Sequence, residues 1–166
     1  HFTPFVTKGT TSTEAKEVIK EMKWKGKRVL DVGCGTGNFA REIAKKDAKY
    51  VLGIDYADEA IKIAEKNNKE KNLKFKKLDV IKLDEKFDII VSIGTIEHMD
   101  NPIKIIKKLK SCLNKNGKII LTTPNWTDPR GYVLMTLYFL FNAPITLADL
   151  HYLTPNEHLK MAKKVN

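Results

Sequence analysis

Val29-Leu30-Asp31-Val32-Gly33-Cys34-Gly35-Thr36-Gly37-Asn38-Phe39 is an apolar run that ends in an acid and three alternating glycines. A run that turns into glycines is the end of a strand, and such a turn is expected to deliver backbone N–H groups and a helix N-terminus to a ligand above it. Asp55 closes the next apolar run, Tyr50 to Ile54. Its distance from the glycines, about 20 residues, is one strand–helix–strand step. Together the two runs predict a parallel α/β sheet that holds a nucleoside-bearing cofactor. The spacing is GxGxG, with Asn38 where a dinucleotide fingerprint has its third glycine, which argues against NAD or FAD.

The rest of the chain extends this pattern in both directions. Thr11 followed by Glu14 reads as a capping box before a leading helix over 13–23, with Ala15, Val18, Ile19 and Met22 at helical spacing. Strands are predicted at 28–32, 50–54, 73–77, 87–91 and 117–122. A helix from Asn38 to about Asp47 turns Phe39, Ala40, Ile43 and Ala44 inward, and a second, capped by Asp58, faces the sheet with Ile61, Ile63 and Ala64. A long helix opens at Asn101-Pro102, where the missing proline N–H is harmless, with Ile106, Leu109 and Leu113 on one face, and Asn116-Gly117 ends the connection to the fifth strand. Strands alternating with helices give a doubly wound, mostly parallel sheet with helices on both faces.

The 166 residues suit a single domain, 1–166, with a real core. Cys34 and Cys112 lie in different settings and form no ligand pair, so both are expected to be reduced thiols, and no His/Cys/Asp cluster has metal spacing. The net charge of +10 invites a nucleic-acid partner, yet only Arg28, Arg41 and Arg130 among the 30 basic residues are arginines. Lysine on helices is what solubility selects, whereas bidentate phosphate and base recognition favours arginine, so RNA is kept but not favoured. No leader or transmembrane segment reads in the sequence, and the expected location is cytoplasmic.

Asp31-Val-Gly-Cys-Gly-Thr-Gly37, Gly53-Ile-Asp55-Tyr56, Leu78-Asp79-Val80, Phe87-Asp88-Ile-Ile-Val91 and Leu113-Asn-Lys-Asn-Gly-Lys-Ile-Ile-Leu121 resemble, in order, the successive motifs of Rossmann-like S-adenosylmethionine-dependent methyltransferases. Ile93-Gly-Thr-Ile-Glu-His-Met-Asp-Asn-Pro102 with Thr122-Thr-Pro-Asn125 further resembles the small-molecule branch that includes ubiquinone-biosynthesis O-methyltransferases. The family sheet usually adds two more strands as an antiparallel hairpin, so the chain is expected to be incomplete at its C-terminal end.

This resemblance implies S-adenosyl-L-methionine as cofactor. Gly33, Gly35 and Gly37, with Cys34 among them, would let the backbone approach the methionine and ribose, because a β-carbon would crowd the ligand and because some of these positions are expected to need φ > 0. Asp55 would accept both ribose hydroxyls, a bidentate task that suits a carboxylate. Tyr56 would cover one adenine face, Asp79 would accept from the adenine amine with Val80 beside the ring, Asp31 would face the methionine amino group, and Ile93 would wall the cofactor. The implied reaction moves a methyl group to a small, partly apolar acceptor. His98, after strand four, is the first candidate base, with Glu97 beside it and His151 as a second candidate. An RNA or protein methyltransferase and an inactive cofactor-binding scaffold are the alternatives.

Residues 131–148 carry no charge. Asn142 and Pro144 interrupt the apolar run, leaving it too short to span a bilayer. The segment 124–153 is therefore expected to be an insertion that serves as a substrate lid or, through 131–148, as a homodimer face; attachment to a membrane surface and plain core packing are the other readings.

Overall fold

The computed structural model describes residues 11–124, 129–142, 151 and 153–165. Five strands, β1 (Arg28–Val32), β2 (Tyr50–Asp55), β3 (Leu73–Lys77), β4 (Phe87–Ile93) and β5 (Leu113–Thr122), form one sheet in the order β3-β2-β1-β4-β5. Every pairing is parallel, with Val29 level with Val51 on one side and Ile89 on the other. The helices are α1 (Thr13–Glu21), α2 (Asn38–Ala44), α3 (Asp58–Asn67), α4 (Pro102–Ser111), α5 (Pro129–Phe141) and α6 (Pro155–Val165).

The alternation of side chains along β1 divides the core into two layers. Val29 points with Val51, Ile89 and Val91 toward α1 and α2, where Ala15, Val18, Phe39 and Ile43 close the layer. Leu30 and Val32 point with Leu52, Ile54 and Ile90 toward α4 and α6, against Ile106, Leu109 and Met161. The expected doubly wound sheet is thus present, covered on both faces. Trp24 staples the first layer: its ring meets Phe39 edge-on at 6.2 Å and its indole N–H donates to the Ile19 carbonyl at 2.8 Å.

Several element ends differ from the sequence reading. Ser12, not Thr11, caps α1, its hydroxyl accepting the Ala15 amide at 3.2 Å. Three residues earlier than predicted, α2 stops because Asp47 takes a left-handed conformation, φ 59°. Ala57 occupies the cap position of α3, and its amide is held by Asp55 Oδ1 at 2.9 Å. Asp58 sits one residue inside, pairing with Lys62 at 2.5 Å, and Ile63 faces outward. The chain enters β5 at Leu113, not 117, and Asn116 with φ 62° forms part of a bulge rather than a turn before the strand. Between the flanking pairs β4 advances from 87 to 89 while β5 advances from 113 to 118.

Strand order reverses direction at β1, since β2 and β3 build to one side of it and β4 and β5 to the other. The crevice outside the carboxyl ends of β1 and β4 is where such sheets open for a ligand.

Candidate functional site

The carboxyl ends of β1, β2 and β4 border a cleft of about 660 Å³. Gly33, Asp55, Tyr56, Asp79, Val80 and His98, all singled out from the sequence, line it together with Leu78, Thr95, Met99 and Asp100. A smaller hollow of about 160 Å³ lies between the glycine turn and the start of α1, and Asp31, Cys34 and Ile93 line it with Ser12, Thr36 and Asn38. Gly33 belongs to both. Sequence reading missed Thr95 and Met99, which come just after β4, whereas Asp55 is the last residue of β2; nearness to a strand's carboxyl end is the signal that could have found them. It also missed Ser12, because α1 read only as a leading helix.

Four amides of the glycine turn are bonded within the protein, contrary to the expectation that the turn's amides serve a ligand. Gly33 and Cys34 both donate to the Ile54 carbonyl, at 2.9 and 3.0 Å, and Gly37 donates to the Cys34 carbonyl at 2.9 Å. Gly35 donates to Asp55 Oδ2 at 2.9 Å. Asn68 ties the turn to α3, its amide nitrogen donating to the carbonyls of Thr36 and Ala64 at 3.2 and 2.6 Å. A site for a pyrophosphate needs free amides at this place. Carboxylates border the hollow and the cleft instead.

All three glycines have the positive φ expected of some of them, and at two of the three the protein itself also excludes a β-carbon. A β-carbon on Gly37, which sits at φ 81°, would come within 2.4 Å of the Phe75 ring. One on Gly33 would meet the Thr95 side chain at the same distance. Only at Gly35 does a β-carbon meet no protein atom within 4 Å, so the space there is open to a ligand.

The acids differ in setting. Asp55 is half-buried, and each of its oxygens already accepts one backbone amide, Gly35 on Oδ2 and Ala57 on Oδ1. This fixes the carboxylate while each oxygen keeps a lone pair for a further donor. Asp79 is exposed at the rim and caps the short turn 80–82, its Oδ1 accepting the Ile81 amide at 3.0 Å. Asp31 is 3% exposed, and its Oδ2 is buried with no hydrogen-bond partner. Burial, reinforced by the charge of Asp55, raises its pKa to about 7. The same two causes, with Asp31 added, drive the Cys34 thiol pKa upward, so this cysteine stays protonated. A buried carboxyl oxygen without a donor calls for one from the ligand, and an ammonium would supply it.

The loop after β4 carries the remaining candidates. Glu97 is 1% exposed beneath it, whereas His98 is exposed and faces the cleft. His151 meets this loop from the segment before α6, its Nε2 lying 2.9 Å from the Met99 carbonyl. Tyr56 stands 85% exposed at the rim. Among the described residues no three His, Cys, Asp or Glu side chains gather as metal ligands would.

Residues 11–164 match the family described as a methyltransferase domain. The chain belongs to that family. It is 34% identical over 122 residues to the ubiquinone biosynthesis O-methyltransferase of Glaesserella parasuis, covering 68% of this chain and 51% of the relative. The corresponding enzyme of Acinetobacter baylyi is 29% identical over 143 residues, 80% of this chain and 59% of that one. This chain therefore spans about half the length of the curated relatives it matches. Among solved structures, the magnesium protoporphyrin IX methyltransferase of Synechocystis with bound SAH superposes with a TM-score of 0.76 at 20% identity, over 92% of this chain and 69% of that one. The S-adenosylmethionine-dependent methyltransferase of Mesorhizobium loti gives 0.74 at 18% identity, over 93% and 81%. These likenesses show the Rossmann-like methyltransferase fold.

Proposed function

We propose that this methyltransferase domain binds S-adenosyl-L-methionine and transfers its methyl group to a small, partly apolar acceptor. The observation that carries the proposal is a glycine turn bordered by acids: the amides of Gly33, Cys34, Gly35 and Gly37 are bonded within the protein, and Asp31 Oδ2 is buried without a donor. Such a site suits a cofactor with an ammonium and hydroxyls and without phosphate. Asp31 would take the ammonium, Asp55 the ribose hydroxyls, and Asp79 the adenine amine. Val80 and Tyr56 would bound the ring, Gly35 would leave room for the chain of the cofactor, and Ile93 would wall the smaller hollow. When bound, the cofactor supplies an electrophilic methyl on a sulfonium.

The chain's own work is then to align the acceptor, exclude water and hold a proton. His98 on the cleft is the group that would take a proton from the acceptor, and Glu97 beneath supports the loop that carries it. The O-methyltransferase names of the relatives favour an oxygen acceptor. We assign α5 the role of lid or dimer face: Tyr132, Phe139, Leu140 and Phe141 are exposed on it. The remainder of the proposed insertion, 125–128, 143–150 and 152, lies outside the described residues. Among the described residues no helix is long and apolar enough to cross a membrane.

The test supplies methyl-labelled cofactor with a deproteinised metabolite extract, with RNA and with protein in parallel. Label is expected in the small molecules. Label tracking with RNA, in a reaction that collapses with salt, would move the acceptor class to RNA. Cofactor binding without transfer to any of the three would leave a binding module.

A further inference from the structure

We propose that His151 is a positioning residue for transfer, a clamp that sets the cleft loop carrying His98, rather than a proton acceptor; this rests on the methyl-transfer function proposed for the cleft. His151 grips the loop at two points two residues apart. Its backbone amide donates to the Glu97 carbonyl at 3.1 Å, and its Nε2 lies 2.9 Å from the Met99 carbonyl. A carbonyl only accepts, so Nε2 carries the proton, and the nitrogen pointed at the loop has no lone pair to offer. His98 lies between these two carbonyls, at the end of the turn Ile96–His98, and the flanking Thr95 and Met99 line the cleft with it.

The clamp is anchored independently of the loop. Leu153 and Met161 are buried in the layer beneath α4. Thr154 and Glu157 cap α6 reciprocally, at 2.7 and 3.3 Å. His158 Nε2 meets the Thr123 hydroxyl at 2.8 Å, just past β5, and Lys110 Nζ donates to the Val165 carbonyl at 2.7 Å. The segment 153–165 is therefore tied to both α4 and the end of β5. Because the base must sit within hydrogen-bond reach of its proton, a displacement of about 1 Å at His98 is enough to cost up to about a hundredfold in rate.

The experiment compares the wild-type protein with His151→Gln, which keeps an N–H donor, and His151→Ala, which does not. Long-range proton–nitrogen spectra of the histidine rings, assigned by the signal missing from each variant, read the tautomer without cofactor or acceptor. The clamp predicts a proton on Nε2 of His151, a shifted His98 signal in His151→Ala, and its return toward the wild-type position in His151→Gln. Transfer of label into the metabolite extract should fall about tenfold in His151→Ala and recover to within about threefold in His151→Gln. Cofactor affinity and the midpoint of the pH–rate profile should hold in both. An Nδ1–H tautomer, an unmoved His98 signal, or a glutamine variant as slow as the alanine one overturns the clamp. So does loss of the pH-profile limb in His151→Gln, which would make His151 the base. A wild-type protein that transfers no label sinks the methyl-transfer function instead, and the ring spectra still decide the clamp.

Discussion

Gly37→Ala should unfold the protein more easily even when no cofactor is present, because the structure gives this glycine a packing role. Two costs add. An alanine held at φ 81° pays about 1–2 kcal/mol for the left-handed backbone. Its β-carbon would also sit 2.4 Å from Phe75 Cζ and 2.9 Å from the Asn68 amide nitrogen, and relieving such overpacking costs about 1–3 kcal/mol. Asn68 cannot yield freely, since it is buried and bonded to both Thr36 and Ala64. The sum, roughly 2–5 kcal/mol, is a large part of the stability of a domain this size. Urea unfolding of the cofactor-free protein, followed by far-ultraviolet circular dichroism, reads it directly. Phe75→Leu in the same chain relieves the clash with the ring and leaves the one with Asn68, so the double-mutant cycle should show a favourable coupling of up to about 3 kcal/mol. If Gly37→Ala unfolds within about 0.5 kcal/mol of wild type and loses only cofactor affinity, the packing argument is wrong and the ligand is what requires the glycine.

Three further outcomes follow from the acids, the exposed helix and the tryptophan staple. Asp31 has its pKa raised to about 7 by burial and by Asp55, so between about pH 4 and 7 the folded chain holds a proton that the unfolded chain has lost; stability without cofactor should fall across that window, by up to roughly 4 kcal/mol. Asp31→Asn should flatten that slope in chemical unfolding, and a slope unchanged by the substitution would place the proton elsewhere. Tyr138→Ala/Phe141→Ala removes two exposed side chains, so unfolding should stay within about 0.5 kcal/mol while label transfer slows; equal loss of stability, cofactor binding and transfer would make them core. Trp24→Phe should cost about 1 kcal/mol in the same unfolding assay, the worth of its bond to the Ile19 carbonyl, and no change would remove that bond from the account.

The sheet was legible because parallel strands buried on both faces read as apolar runs, and because the GxGxG turn and Asp55 mark two strand ends. Element ends were less legible. Thr11 and Ser12 are equally good caps by type, and only the path of the chain into α1 decides between them. Asn116-Gly117 has the composition of a turn, yet the pairing of Leu113 with Phe87 draws it into β5 as a bulge. In the site, sequence located Asp55, Asp79 and His98 because strand ends and motif order fix them. It anticipated positive φ among the glycines but not their packing role, since Phe75 and Thr95, the groups that exclude a β-carbon at 37 and 33, are distant in the chain. The spending of the turn's amides on Ile54 and Asp55 was likewise a matter of register between β1 and β2, which no local pattern states.

Calorimetric titration of the protein with S-adenosylhomocysteine and, separately, with NAD is the most direct test of a carboxylate-lined, phosphate-free cofactor site. One-site binding of the first and no binding of the second are predicted. Asp55→Ala should weaken the first by about 2–4 kcal/mol, the loss of two hydrogen bonds to a partly exposed carboxylate, or roughly 30- to 1,000-fold. Binding of NAD with silence toward S-adenosylhomocysteine, or an affinity for the latter that Asp55→Ala leaves unchanged, would contradict the account.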